Sequence, residues 1–239
     1  QNILNYLKVK ASWGVLGGQN TYGFDYPFYP ALQSGNTAVF GNILAPAYSQ
    51  AYNPRSDLTW ETNIATEAGF EARAFNNRLS FEMAYYHKKT EDVMTLINDG
   101  TGRLRLDNVG EVLNKGFEFM SSWTQRMNRD LTFTISGNLT TFNNKVLALG
   151  GDRIAASEER PNQTEAGYPI GYFYGYVVEG IYQSYADKLK SPPVIGYSYG
   201  PGDLKYKDVD GNGIIDAKDR TMIGNPTPDF SYGITFNTA

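Results

Sequence analysis

The 239-residue chain is 14% aromatic, with 18 Tyr, 13 Phe and 3 Trp, and it carries 25 Gly, one His and no Cys. The absence of Cys excludes a disulfide framework and thiolate zinc sites, and a net charge of −4 argues against a nucleic-acid partner, which needs a basic face. No stretch approaches the ~20 apolar residues of a membrane-spanning helix, so any membrane crossing has to be made of strands.

Period-2 alternation is the leading local signal, and it recurs six times. The first run, Leu7 to Trp13, places apolar residues at every second position. In the second, Trp60, Thr62, Ile64, Thr66, Ala68, Phe70 and Ala72 oppose Glu61, Asn63, Glu67, Glu71 and Arg73. The third sets Leu79, Phe81, Met83 and Tyr85 against Ser80, Glu82 and Lys88, and the fourth sets Phe117, Phe119 and Trp123 against Glu118, Ser122, Thr124 and Arg126. The fifth is the cleanest, with Leu131, Phe133, Ile135 and Leu139 against Thr132, Thr134, Ser136, Asn138 and Thr140. The sixth sets Phe230, Tyr232, Ile234 and Phe236 against Ser231, Thr235 and Asn237.

Two-faced strands fit a soluble sandwich with its apolar face inward, or a membrane barrel with its apolar face on lipid. Length and rhythm favour the barrel. Several runs exceed the ~5–6 residues typical of sandwich strands and match the ~9–11 that cross a bilayer. Long connections at 14–59, 97–113 and 144–226 alternate with the tight turns Phe75-Asn76-Asn77-Arg78 and Asn128-Arg129-Asp130. Barrels with brief periplasmic turns and extended outer loops show that order. On this reading the first, third and fifth runs travel outward and the others return. The Tyr- and Gly-rich segment Gly171 to Tyr182 is either an extension above the membrane or a further membrane strand that would upset this parity. Six strands cannot close a barrel, because open edges in lipid leave backbone groups unpaired. Gln1 is not a natural start and Asn237-Thr238-Ala239 stops in mid-pattern, so the chain reads as part of a longer protein.

Asp208 to Asp219 has the spacing of an EF-hand calcium loop. Side-chain oxygens fall at loop positions 1, 3, 5, 9 and 12 (Asp208, Asp210, Asn212, Asp216, Asp219), Gly213 takes the sharp-turn position, and Ile214 offers its backbone carbonyl at position 7. A hard Ca²⁺ ion takes six to eight oxygens, and a loop coiling around it presents alternate side chains. Asp replaces the usual Glu at position 12, and Pro201 to Lys207 reads as extended chain where an EF-hand has its entering helix. The expected role is structural. The competing reading is a turn held by its own Asx hydrogen bonds.

Several segments resemble, in order, the SusC/RagA family of TonB-linked transporters. They are Asn53-Pro54-Arg55-Ser56-Asp57-Leu58-Thr59-Trp60-Glu61-Thr62, Phe75 to Ser80, Tyr85 to Thr90, Asn114-Lys115-Gly116-Phe117-Glu118, Gly171 to Tyr176, and Pro201 to Gly213 continuing from Asp219 to Pro228. Together they cover essentially the whole chain. The resemblance implies an all-β fold, a transmembrane antiparallel β-barrel of 22 strands of which residues 1–239 would be one part, with 144–226 an extracellular region carrying the 208–219 loop. It also implies an N-terminal plug, energy supplied through TonB, a SusD-like surface lipoprotein as lid, oligosaccharide or peptide as cargo, and a bacterial outer-membrane location. The rival reading is a secreted β-sandwich adhesion or carbohydrate-binding module with a dockerin-like calcium loop. An enzyme is disfavoured, since any triad would rest on His87 alone and Glu158-Glu159 reads as solvated charge. Tyr22, Phe24, Tyr26, Phe28, Tyr29, Tyr172, Tyr174 and Tyr176 are candidates either to stack on sugars or to pack the loops.

Overall fold

A computed structural model describes residues 3–18, 26, 28–98, 104–151 and 161–239. In chain order it contains β1 (Leu4–Gly18), β2 (Leu32–Phe40), β3 (Ile43–Gln50), β4 (Glu61–Ala74), β5 (Leu79–Asn98), β6 (Leu104–Arg126), β7 (Thr132–Thr141) and β8 (Asn143–Ala148). There follow β9 (Asn162–Gln163), β10 (Tyr172–Tyr176), β11 (Val178–Ile181), the short helix α1 (Tyr185–Lys190), β12 (Leu204–Tyr206), a single 3₁₀ turn (Ala217–Asp219), β13 (Arg220–Gly224) and β14 (Phe230–Thr238). Among the described residues no helix is long and apolar enough to cross a membrane.

The chain divides into two compact units, one holding residues 1–153, 165–168 and 228–239 and the other 154–164 and 169–227. The first is dominated by an antiparallel sheet in the order β1-β4-β5-β6-β7-β14, with β8 also paired to β6. These six strands are the six alternating runs, neighbours in space in the order they occur in sequence. The segment Gly171 to Tyr182 does not join this sheet; β10 and β11 lie in separate small sheets. The parity of the six runs therefore stands.

Register turns the alternation of each strand into two continuous faces. Val9, Phe70, Met83, Phe119, Leu139 and Tyr232 stand opposite one another in a row across all six strands. One residue along, the row reads Lys10, Gly69, Ala84, Glu118, Thr140 and Ser231. On the first face aromatic rings pack together, Phe70 stacked on Phe81 at 5.3 Å, Phe81 edge-to-face with Phe119 at 5.0 Å and Tyr85 tilted against Phe117 at 5.0 Å. On the second face Lys10 donates to Glu82 at 2.6 Å, Thr124 and Thr134 share a hydrogen bond of 3.0 Å, and Asn144 donates to Asn114 at 2.7 Å.

The apolar face is accessible even on the inner strands, where Phe117 is 45% exposed and Ile135 46%. Val9 is 76% exposed and Ile234 78%. The larger unit keeps only a small buried cluster, Tyr52, Met94 and Leu106, among the described residues. A sandwich half would bury that face against a second sheet, whereas here it is accessible among the described residues.

All three long connections hold strand that the alternation did not give: 144–226 begins within β8, paired to β6. The segment 97–113 is largely strand: β5 and β6 continue as a long ribbon, paired down to Asn98 and Leu104. A bulge between Thr90 and Val93, with Asp92 at φ 57°, shifts the alternation there and breaks the two-residue period of the sequence. Within 14–59, β2 and β3 form a hairpin around Gly41, which has φ 62°. The Gly41-Asn42 pair between Phe40 and Ile43 is a recognisable two-residue turn signal.

Strands β7 and β8 follow one register along β6, running from Arg126 opposite Thr132 to Lys115 opposite Asn143. The ladder is interrupted at Phe142, whose amide bonds Asp229 O at 2.8 Å. At this point Gly116 is required by close approach: a Cβ there would collide with the Thr141 carbonyl oxygen and sit 2.7 Å from the Tyr86 hydroxyl. That hydroxyl donates to the same carbonyl at 3.1 Å, so Tyr86 lies across the glycine. Gly116→Ala is expected to lower the unfolding free energy of the intact protein by about 1–3 kcal/mol through overpacking, whereas Tyr86→Phe, which loses one hydrogen bond, costs about 1 kcal/mol. Urea unfolding in bilayers measures both.

Candidate functional site

The acidic loop lies in the second unit. That unit is held by tyrosines: Tyr172 (2% exposed), Tyr182 (1%) and Ile215 (1%) are buried, and Tyr172 accepts from Gln163 Nε2 at 2.7 Å. Tyr174 meets Tyr172 edge-on, and Tyr176 lies against Tyr206 with Arg220 over its ring. Of the aromatics considered for sugar stacking, Tyr172, Tyr174 and Tyr176 thus pack the unit internally. Tyr26, Phe28 and Tyr29 are exposed, while Tyr22 and Phe24 lie outside the described residues, as do Glu158 and Glu159.

Asp208, Asp210 and Asp219 each present a carboxylate oxygen within 4.8 Å of the other two. Asx-type hydrogen bonds build the arrangement. Asp208 accepts from Gly211 N at 2.7 Å and Gly213 N at 2.8 Å, Asp210 from Asn212 N at 3.1 Å, and Asn212 Oδ1 from Ile214 N at 2.9 Å. Gly213 has φ 84°, a left-handed conformation that side chains resist. Ile215, the next residue but one, is pinned by its amide to Pro193 O at 2.8 Å and by its carbonyl to Ile195 N at 2.9 Å.

Asp216 and Asp219 act as a pair. Asp216 caps the 3₁₀ turn by accepting from Lys218 N at 2.7 Å, and Asp219 accepts from Asp216 N at 2.8 Å and from Val209 N at 2.8 Å. Five of the six expected ligand side chains and backbone groups therefore have assigned local partners, and three carboxylates converge. Asn212 and Asp216 are turned to neighbouring backbone. The donor set is all oxygen, which suits a hard divalent cation, and a carboxylate oxygen holding one amide retains further acceptor capacity.

The backbone amide of Asp216, reinforced by those of Val209 and Asp210, holds the fully buried Asp219 carboxyl below its ordinary range, against the opposing effect of desolvation. A depressed folded-state pKa gives stability that is complete above the unfolded value near ~4 and disappears as pH falls through the lower folded value.

A second cluster escaped the sequence reading, although its residues lie partly in the Asn53 to Thr62 motif. Arg55 pairs with both Asp57 and Asp107, and Arg105 donates to Asp107 at 2.8 Å. Asp57, and after it Asp107, raise the Arg55 pKa further above its ordinary value, while Arg55 lowers that of Asp57. Asn108 bonds both the amide of Thr59 at 2.8 Å and its carbonyl at 2.9 Å. These contacts fasten the segment leading into β4 onto the β5–β6 ribbon. Only the long-range partners Asp107 and Asn108 were invisible to local pattern.

His87 stands on the apolar face of the sheet opposite Lys115. No carboxylate is bonded to it among the described residues.

A sheet with one lipid-type face, one hydrogen-bonded polar face, long strands and two unpaired edges is a segment of membrane β-barrel wall. The chain belongs to the family described as TonB dependent receptor-like, beta-barrel, whose model matches residues 3–232, and this is an outer-membrane family. Over 97% of its length it is 31% identical to TonB-dependent receptor P3 of Formosa agariphila, and over 98% it is 26% identical to TonB-dependent receptor SusC of Bacteroides thetaiotaomicron. It spans 24% of the length of each of these relatives. Its fold is like that of a solved chain in the structure of the RagAB peptide transporter, with TM-score 0.71 at 24% identity over all of this chain and 26% of that one. The open-open state of the RagAB peptide importer gives TM-score 0.74 at 23% identity over 100% and 25%.

Asp219→Asn is expected to accelerate hydrogen exchange at the Val209 and Asp216 amides about tenfold or more at neutral pH, since charge-assisted bonds are the stronger ones. In the unsubstituted protein that protection should hold steady from pH 7 to about 5 and fall away below about 4.

Proposed function

We propose that this chain is part of the wall and outer loops of a TonB-dependent importer in a bacterial outer membrane, taking up oligosaccharides or peptides together with a SusD-like surface lipoprotein. The observation that carries the reading is the pair of continuous faces. A row such as Val9-Phe70-Met83-Phe119-Leu139-Tyr232 is at home against acyl chains, and the hydrogen-bonded polar face belongs to an aqueous interior. The short turns at 75–78 and 128–130 then face the periplasm and the long connections the medium. In line with this, the relatives are named as receptors, and the solved neighbours as a peptide transporter or importer. On this reading Gly116, Tyr86 and the Lys10–Glu82 pair shape the interior wall, and none of them performs covalent chemistry.

The Asp208–Asp219 loop is proposed to hold Ca²⁺ in a structural role, with Asp208, Asp210 and Asp219 as carboxylate ligands and the Ile214 carbonyl, Asn212 and Asp216 completing the set by small rearrangement. The convergence of three carboxylates at 4.8 Å or less and the positive φ of Gly213 support it.

Cells lacking the intact protein should lose uptake of its labelled oligosaccharide or peptide cargo, and the gene restored with residues 61–98 deleted should not recover it; uptake that survives the loss rejects the importer. The sandwich alternative is tested separately, because a chain that stays folded and monodisperse without detergent is no barrel wall. For the loop, millimolar Ca²⁺ should raise the melting temperature of the second unit in the intact protein, chelator should reverse this, and Asp210→Ala should abolish the response. An Asp210→Ala variant that still responds removes the ion from this loop.

A further inference from the structure

The apolar face carries no charged residue from the row of Leu79 and Trp123 up to the row of Ala68, Tyr85 and Phe117. That is about 20 Å of strand, of the order of the ~25 Å apolar band of an outer-membrane barrel. Charge begins abruptly in the next two rows. One reads Trp13, Thr66, His87, Lys115 and Asn143; the other reads Val15, Ile64, Lys89, Leu113 and Lys145.

The lysines of these rows are treated differently. Lys89 is neutralised by Glu91 at 2.6 Å and Glu111 at 2.9 Å. Lys115 and Lys145 are exposed, and among the described residues neither has an ion-pair partner. They lie on adjacent strands as diagonal neighbours, Lys115 opposite Asn143 and Lys145 two residues beyond it on the same face. Such positions are about 7–8 Å apart, which lets two flexible ammonium groups converge on one anion. His87, directly opposite Lys115, adds a hydrogen-bonding ring.

Trp13 marks the height of this cluster independently. It lies in the same row as His87 and is 71% exposed, and an indole with an apolar body and a polar N–H belongs at the membrane–water boundary. Immediately below, the Tyr85–Phe117 pair offers an apolar surface to acyl chains. Anions available at that boundary are lipid headgroups, and a lysine stem is long enough to carry its ammonium to that level.

We propose that Lys115 and Lys145, assisted by His87, bind the phosphate of a phosphorylated glycolipid in the outer leaflet, seating its acyl chains on Tyr85 and Phe117. The proposal rests on the outer-membrane reading above, which places these rows at the outer boundary. Phosphate accepts from several donors at once, and lysine serves as a point charge for it.

The test uses the intact protein in bilayer nanodiscs of phosphatidylcholine. Binding of bis-phosphorylated lipid A, of the same lipid A with its phosphates removed, and of inorganic phosphate is measured for the unsubstituted protein, for Lys115→Gln/Lys145→Gln, and for Lys8→Gln on the opposite face. The phosphorylated lipid should bind best to the unsubstituted protein and to Lys8→Gln, and about tenfold or more weakly to the double variant. Free phosphate should not compete at millimolar concentration. Equal binding by the double variant, or equal binding of the dephosphorylated lipid, overturns the site. Both variants should retain the heat-dependent gel mobility of a folded barrel; an intact protein that never shows it fails as a membrane barrel, a result separable from a folded barrel that ignores the lipid. Should the double variant not fold, single Lys145→Gln carries the same comparison with a smaller expected loss.

Discussion

Backbone hydrogen bonding in hydrocarbon constrains everything else in this chain. An N–H or C=O left unpaired among acyl chains costs several kcal/mol, so strands crossing a membrane have to be paired on both sides. The ladders from β1 through β4, β5, β6 and β7 to β14 meet that demand for the four inner strands. The outer edges of β1 and β14 are unpaired among the described residues, and in hydrocarbon such edges require further strands beside them. Neither stability nor function of this segment is therefore a property of the segment alone.

The pairing constraint also sets which side chains are free to vary. Once strand partners are fixed, a residue points either to lipid or to the interior, and slipping by one position exchanges the two. Rows such as Lys10-Gly69-Ala84-Glu118 beside Val9-Phe70-Met83-Phe119 show how completely register sorts them. Packing density does not stabilise this wall as it would a soluble core; cross-strand pairs such as Phe81–Phe119 and Thr124–Thr134 do.

Legibility in the sequence followed the environment. Where one face meets lipid and the other water, alternation is strict, and the strands from Leu79 and Thr132 onward could be read residue by residue. Beyond the Asp92 bulge both faces of the β5–β6 ribbon meet a mixture of solvent and neighbouring chain, the two-fold period fades, and residues 97–113 resembled a loop. The hairpin β2–β3 was missed for the same reason, although its Gly41-Asn42 turn was visible. The acidic loop was legible because its oxygen donors are local in sequence and regularly spaced. Asp107 was not, because its partner Arg55 lies fifty-two positions away and only folding brings them together.

Phe142 offers a different lesson. Its amide is held by Asp229, so the chain that departs after β7 returns within one hydrogen bond of where it left. With both ends of the excursion clamped at a single rung, the length in between is nearly decoupled from the wall: closing a longer loop costs only about 0.6 kcal/mol per doubling. The wall is then a fixed frame, and the chain between residues 169 and 227, beyond β8 and the contacts of Gly167 and Tyr168 with Val146, can be lengthened, trimmed or exchanged without moving a rung of the ladder.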